Sequence, residues 1–291
     1  MRRLIINADD FGLTPGVNRA ILEGHTRGVI TSATLMACSA AFDEAVTLAR
    51  ATPSLKVGCH VVLTDGTPLS ADSKSLLDPK HPAELYRSYP AFVRRALAGA
   101  FSADELEAEA AAQFRKLQSA GLQLTHFDTH KHSHMFPRIL APLLRAAQAC
   151  GIPAVRNPFA PIKPLAYASL LRRPRLWKRY TEVKVLRRYA DQFRRAASDA
   201  GLATTDGTFG IVATGALDHR LFEAIIGCIP EGTWEFVCHP GYNDSALSGV
   251  RTRLRASREA ELQVLTSPAA RDLLAARDIQ LISYADLATV S

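Results

Sequence analysis

"RRLIINADDFGLTPGVNRAI", residues 2–21, passes from an apolar run through two adjacent carboxylates into a helix signal. Leu4 to Ala8 reads as a buried strand. Thr14-Pro15 reads as an N-cap followed by proline at the first helical position. That helix runs to about Arg27, with Gly28 as its stop. The stretch is therefore one βα unit. It places Asp9 and Asp10, two like charges, where the strand surfaces.

The unit repeats along the chain. Val29–Leu35 and Leu55–Leu63 read as strands two and three, with a helix over Phe42–Ala51 between them. A long polar loop is expected from Thr64 to about Pro90, and a helix over Ala103–Ala120. Leu122–Asp128, Ala154–Arg156, Phe209–Val212, Thr233–Cys238 and Gln280–Ser283 read as further strands. Helices are expected over Pro137–Cys150, Leu221–Cys228, Arg258–Leu265 and Ala269–Ala276. Such alternation implies a parallel sheet. Seven or eight units suggest an irregular or incomplete (β/α) TIM-like barrel, with an open doubly wound sheet as the competitor. Both place a site at the C-terminal ends of the strands.

Composition narrows the class. With 291 residues, 47% of them hydrophobic, the chain can bury a full core. No run is long and apolar enough to span a membrane, and the N-terminus meets charge too early for a signal peptide. Five scattered cysteines, none in a CxxC pair, point to a reducing, cytoplasmic setting.

The strand ends carry an unusual set of side chains. Strand one ends in Asp9-Asp10, strand three in His60 and "EFVCHPGY" in His239. The fourth strand ends in "THFDTHKHSHMFP", holding His126, Asp128, His130, His132 and His134. Six of the nine histidines thus sit at predicted strand ends. Asp and His converging there are a ligand set for a divalent ion such as Zn²⁺, Mn²⁺ or Fe²⁺. One of the two aspartates would bind it and the other hold a water beside it. If extended, the histidine run would point its alternate residues to one face. Steps of roughly 6.6 Å between them mean that only one or two can reach a single ion. The others are substrate contacts, supports for the ligands, or structural. Cys59 and Cys238, each preceding a site histidine, would face the helical layer.

The chain resembles the YdjC-like (ChbG/HpnK) family of carbohydrate deacetylases. The matching stretches are "NADDFGLTPGVNRAI" (7–21), "GVITSATLM" (28–36), "VGCHVVLTDGTPL" (57–69), "THFDTHKHSHMFP" (125–137) and "CHPGY" (238–242), together with the closing 257–287. The resemblance implies one irregular barrel domain over 1–291 and removal of an acetyl group from an N-acetylated sugar or glycolipid. It implies one divalent metal ion, Zn²⁺ or Mg²⁺, on Asp10, His60 and His130. It makes Asp9 the base and His239 the acid. His126, Asp128, His132 and His134 are left as substrate contacts or supports. Another metal-dependent hydrolase, an amidohydrolase or phosphoesterase, is the alternative, and His126, His132 and His134 keep a second ion open. A non-enzymatic sugar- or lipid-binding protein would need no acid/base pair.

The least similar part is basic. Between Lys163 and Arg195, eleven Lys/Arg face two acids, so this segment carries +9 of a net +7 and the rest of the chain is near −2. It reads as a helical insertion at about 160–200. No nucleic-acid module accompanies it. Its interleaved Trp177, Tyr180 and Tyr189 suit a peripheral contact with an anionic membrane. A homodimer is also compatible with the sequence.

Overall fold

The computed structural model describes residues 1–163, 165–166 and 170–287. The first strand, β1 (Arg2–Phe11), is the axis of a seven-stranded sheet. It is flanked on one side by β2 (Ser32–Leu35), β3 (Lys56–Val61) and β6 (Phe127–Thr129), and on the other by β8 (Gly232–Cys238) and β7 (Gly207–Phe209). β9 (Ile279–Ile282) pairs with Arg2–Ile5 of β1, on the same strand that receives β2 further along at Asn7–Phe11. Every pairing in this sheet is parallel. Between β6 and β7 the sheet is bridged only by the isolated pairs Phe127–Val155 and Ala154–Ala203. The result is an incomplete α/β barrel, and the doubly wound alternative is excluded.

Side-chain alternation along β1 separates two environments. Leu4, Ile6 and Ala8 pack into the large apolar cluster beneath the helices. Ile5, by contrast, packs with Ala154, Tyr284 and Leu287 on the floor of the barrel. Asn7 and Asp9 follow Ile5 up the interior. Cys59 and Cys238 belong to the helix-side cluster, on the face expected for them. The barrel interior above its floor is polar and hydrogen-bonded. His126 lies flat on Tyr284, ring centroids 3.7 Å apart, and its Nε2 is 3.2 Å from the Asn7 side-chain oxygen. Gly58 makes room for that ring: a Cβ there would stand 2.5 Å from His126 Nδ1 and 2.6 Å from the His126 carbonyl.

The helices start where the local chemistry dictates. Thr14 caps α1 (Pro15–Thr26) by accepting from Val17 N–H, with proline at its first position. α2 (Phe42–Ala51) follows β2. The segment from Thr64 to Pro90, expected as loop, contains the hairpin β4 (Leu77–Asp78) and β5 (His81–Leu85), and at its end begins α3 (Tyr89–Ala98). Ser88 caps α3 and Gly99 ends it in a left-handed conformation. These helix signals were present in "SYP…G" but are short. From α4 (Ala103–Ser119), buried Glu109 accepts from Leu69 and Ser70 N–H, and Gln113 holds both the N–H and C=O of Val62, so the loop after β3 is fastened to a helix. α5 (Pro137–Ala149) completes this side. The basic segment folds as α6 (Trp177–Leu186) and α7 (Ala190–Asp199). The chain then passes through α8 (His219–Ile226) before β8, and α9 (Ala256–Thr266) and α10 (Pro268–Ala276) after it.

Gly58→Ala tests the packed interior. Overpacking of this kind costs about 1–3 kcal/mol. The variant should therefore melt several degrees lower in a thermal unfolding scan. An unchanged melting temperature would mean that His126 is not held where the structure puts it.

Candidate active site

Strand β1 has an irregularity at the two aspartates. Ala8 pairs with Ala33, but Phe11 pairs with Leu35, so one extra residue is accommodated on the β1 side. Asp10 takes φ 68°, in the left-handed region that Asp tolerates better than most residues. In a regular strand these neighbours would point to opposite faces. The bulge turns both carboxylates into the same cleft, and that answers why two like charges stand side by side.

Asp10 Oδ1 lies 3.5 Å from His60 Nε2 and 3.4 Å from His130 Nδ1, and the two histidine nitrogens are 3.3 Å apart. Donors held at about 2.1 Å from one ion at near-tetrahedral angles are roughly 3.4 Å apart, so the triangle matches an ion's requirement. Two further observations fit. Asp10 Oδ1 is buried without a hydrogen-bond partner, whereas Oδ2 accepts from Arg258 Nη2 at 2.5 Å. His60 Nδ1 is 2.6 Å from Asp128 Oδ1. That carboxylate orients the ring with Nδ1 toward itself and Nε2 toward the triangle, as a carboxylate behind a ligating histidine does. A second group, Asp9, His60 and Asp128, also has the donor types. Both of its carboxylates already accept from one guanidinium, so that position has its cation.

That guanidinium is Arg156, fully buried. Its Nη1 and Nη2 donate to Asp9 Oδ2 and Oδ1 at 2.9 and 2.6 Å. Nη1 reaches Asp128 Oδ2 at 2.5 Å and Nε donates to Glu235 Oε1 at 2.8 Å. Thr34 Oγ1 donates to Asp128. Burial alone would push the Asp9 carboxyl up, but Arg156, and then His60, hold it well below the usual carboxylate range. Burial likewise opposes the charge on His60, yet Asp128 and Asp9 outweigh it and raise the imidazole to about 9. Arg258 holds Asp10 low against the same penalty.

His239 follows β8. Its Nε2 is 3.8 Å from Asp9 Oδ2, its backbone N–H donates to Glu261, and its Nδ1 is buried without a partner. Asp9, Asp10, His60, His130 and His239 all line one cleft of about 1140 Å³.

The histidine run is not extended. After β6 the chain turns into a short 3-10 stretch, His130–Met135, with Lys131 and His132 at φ 58° and 53°. Thr129 closes this turn: its hydroxyl accepts from His134 N–H at 3.1 Å and meets His134 Nδ1 at 2.7 Å. The strained residues let His130 swing back toward Asp10. The five candidates of this stretch thereby reach different depths. His126 is part of the barrel interior, Asp128 stands behind His60, and His130 joins the triangle. His132 lines the cleft, and His134 is buried against Thr129 and the Arg156 carbonyl. Burial lowers His126, His132 and His134, His132 to about 3. His126 and His134 are not among the cleft-lining residues.

Sequence reasoning assigned no role to Arg156, Glu235, Arg258, Asn7 or Thr34. Arg258 lay within the quoted closing segment, and Glu235 alternates correctly with Trp234 and Phe236 to face the interior. Arg156 had no local signal, because its three carboxylates come from distant strands.

An incomplete barrel with Asp and His gathered at its C-terminal strand ends is the arrangement in which α/β-barrel enzymes carry their chemistry. The chain belongs to the family described as YdjC-like protein, whose model matches residues 3–276. A Brevibacillus brevis protein named carbohydrate deacetylase is 34% identical over 98% of this chain and 99% of its own length. A Geobacillus stearothermophilus protein of the same name is 35% identical over 97% of each. An Enterococcus faecalis crystal structure, provisionally described as a cellobiose-phosphate cleavage protein, superposes with a TM-score of 0.79, at 26% identity and 98% coverage of both chains.

Asp128→Asn keeps the shape but removes the charge that fixes His60. Its metal affinity, read by calorimetry with Zn²⁺, should fall about 10–100-fold, the usual cost of losing a partner behind a ligand. Asp10→Ala, His60→Ala and His130→Ala should each lose stoichiometric metal in elemental analysis. Full occupancy in all three would refute the triangle.

Proposed function

We propose that this chain is a metal-dependent carbohydrate deacetylase that hydrolyses the N-acetyl group of an amino sugar. The proposal takes 1–291 as one domain, with the basic insertion at about 160–200 as a wall of its cleft. The observation that carries it is the pairing, within one cleft, of the Asp10/His60/His130 triangle with the ionised Asp9 and with His239 beside it. The family and the names of the relatives supply the reaction class.

Asp10, His60 and His130 would hold one divalent ion, Zn²⁺ or Mg²⁺. Bound there, such an ion acidifies water and polarises an acyl oxygen. The protein's own groups do the rest. Arg156 keeps Asp9 ionised and fixes both of its oxygens, so Asp9 accepts a hydrogen bond from the attacking water and then its proton. Asp128 orients the His60 ring. Arg258 occupies Asp10 Oδ2 and restricts that residue to one free oxygen. An amine is a poor leaving group unless it departs protonated, and His239, on the Asp9 side of the cleft, is placed to deliver that proton. The cleft volume exceeds what an acetyl group needs and fits a sugar of more than one ring. The five cysteines are free, which suits the reducing cytoplasm.

The second ion that His126, His132 and His134 left open for a phosphoesterase has less support, since His126 stacks on Tyr284, His134 is bonded to Thr129 and the Arg156 carbonyl, and of the three His132 alone lines the cleft. A pure binding protein has no use for the Asp9–His239 pair.

Incubation of the metal-loaded protein with N-acetylated amino sugars, followed by mass spectrometry, should show release of acetate. Asp9→Asn should keep one ion per chain and lose turnover by about 10²–10⁴-fold, the typical contribution of a general base. His239→Ala should also keep the ion, and its defect should shrink on an activated acetanilide that needs less protonation. Equal losses on both substrates would remove His239 from the acid role.

A further inference from the structure

The basic segment has two faces with different tasks. On α6, Arg179, Glu182, Val183 and Leu186 follow the spacing i, i+3, i+4, i+7 and line the active-site cleft. Trp177, Thr181, Lys184 and Val185 follow i, i+4, i+7, i+8 and form the opposite face. That outer face sets two large apolar side chains beside Thr181 and Lys184. Trp177 is 49% exposed and Val185 54%, beside Leu171 at 66% and Ile162 at 62%. The structure ties these together: the Trp177 indole donates to the Leu170 carbonyl at 3.0 Å, and Lys184 Nζ donates to the Ile162 carbonyl at 3.0 Å. Of the six large apolar side chains that stand exposed among the described residues, four fall in this patch.

The surrounding charge is predominantly positive. Lys163, Arg172 and Arg175 are exposed and have no acidic partner among the described residues, and Lys178, 90% exposed, meets Glu182 only at 4.0 Å. Arg173 is the exception, paired with Asp218. A solvated surface helix would place charges on this face and bury its tryptophan. A nucleic-acid groove would supply cations but has no use for exposed Ile162, Leu171 and Val185. Exposed aliphatic side chains and an indole ringed by unpaired cations complement a bilayer with anionic headgroups, where the apolar groups enter the headgroup–acyl boundary and the cations stay at its surface.

We propose that the outer face of α6, with Ile162 and Leu171, docks this protein on an anionic lipid surface. The same helix then forms the wall between that surface and the cleft. The docking surface stands apart from the deacetylase reading, since it can be measured without turnover.

The test is sedimentation of the full chain with vesicles of phosphatidylcholine alone or mixed with phosphatidylglycerol, at low and high salt. The protein should pellet with anionic vesicles at low salt, remain in solution with neutral ones, and be released by salt. Brominated lipid should quench Trp177, whereas Trp234, 9% exposed, stays bright. Replacing Arg172 and Arg175 by Gln should weaken binding about fivefold per charge. Leu171→Glu should abolish the quenching with an unchanged melting temperature. Three outcomes overturn the proposal. The first is no pelleting with anionic vesicles at low salt. The second is pelleting with Trp177 unquenched, which places the contact elsewhere. The third is a dimer by light scattering that Leu171→Glu dissolves while vesicles are ignored, which makes the face a contact between two copies.

Discussion

One buried guanidinium organises the barrel. Arg156 faces Asp9, Asp128 and Glu235, which come from β1, β6 and β8. A lone charge at such depth would be costly, and so would any one of these carboxylates without its partner. Together they form a connected network. Glu235 also accepts from Tyr284 and Thr208, Tyr284 supports the His126 ring, and His126 reaches Asn7, which donates back to Asp9. The floor of the barrel and the chemical site are thus joined through hydrogen bonds, and a change in one side chain reaches the others. The network also carries a surplus. Asp9, Asp10, Asp128 and Glu235 face only Arg156 and Arg258 as guanidinium partners. Four carboxylates thus outnumber two guanidiniums, and burial pushes the Glu235 carboxyl up toward its neutral form. The same surplus raises His60.

Backbone geometry divides the labour between the two aspartates. Asp9 stays on the interior face of β1, in line with Ile5 and Asn7, and meets Arg156. Asp10, one residue on, escapes the alternation through the bulge and meets His60, His130 and Arg258. Gly12 follows at φ 91°, and its N–H is taken by the Asn18 side chain at 2.7 Å. Asn18 also donates to the Ala41 carbonyl and to Glu44, so α1 anchors the turn against α2. The left-handed cost at Asp10 is offset because the turn beyond it is fixed at both ends.

Sequence pattern reached the barrel because alternation is a local property. Strands with apolar residues facing the helices, and histidines at their ends, are visible within ten residues. Strand ends pointed to Asp9 or Asp10, to His60 and to the run after Phe127, whereas the choice of Asp10, His60 and His130 among them came from the family resemblance rather than from the pattern. The conformation of "THKHSH" was not reachable. Its period-two spacing mimics a strand, and only the hydroxyl of Thr129, bonding to His134, reveals a turn. The partners of Arg156 were hidden for a different reason. Ala154 and Val155, just before it, form only isolated bridges rather than a full strand, and the carboxylates that Arg156 neutralises stand more than twenty-five positions away along the chain.

Chemistry and recognition are encoded in separate parts of this chain. The floor of the cleft is strand ends: Asp9, Asp10, His60, His130 and His239, fixed by a sheet whose registers admit little movement. The walls are connections: Thr67 and Glu84 before α3, Val183 and Leu186 on α6, Val250 and Leu254 before α9. These connections depend less on the barrel interior than on their own fastenings, such as Glu109 beneath Leu69 and Ser70. Their lengths and side chains can vary without disturbing Arg156. A single reaction can therefore be kept while the substrate's remaining parts are chosen by the walls. The charge distribution follows the same division. The excess of positive charge in the sequence lies between Lys163 and Arg195, whose described part includes the α6 wall, while the floor is rich in carboxylates. What the protein meets outside and what it does inside are accordingly governed by opposite fields, separated by one helix.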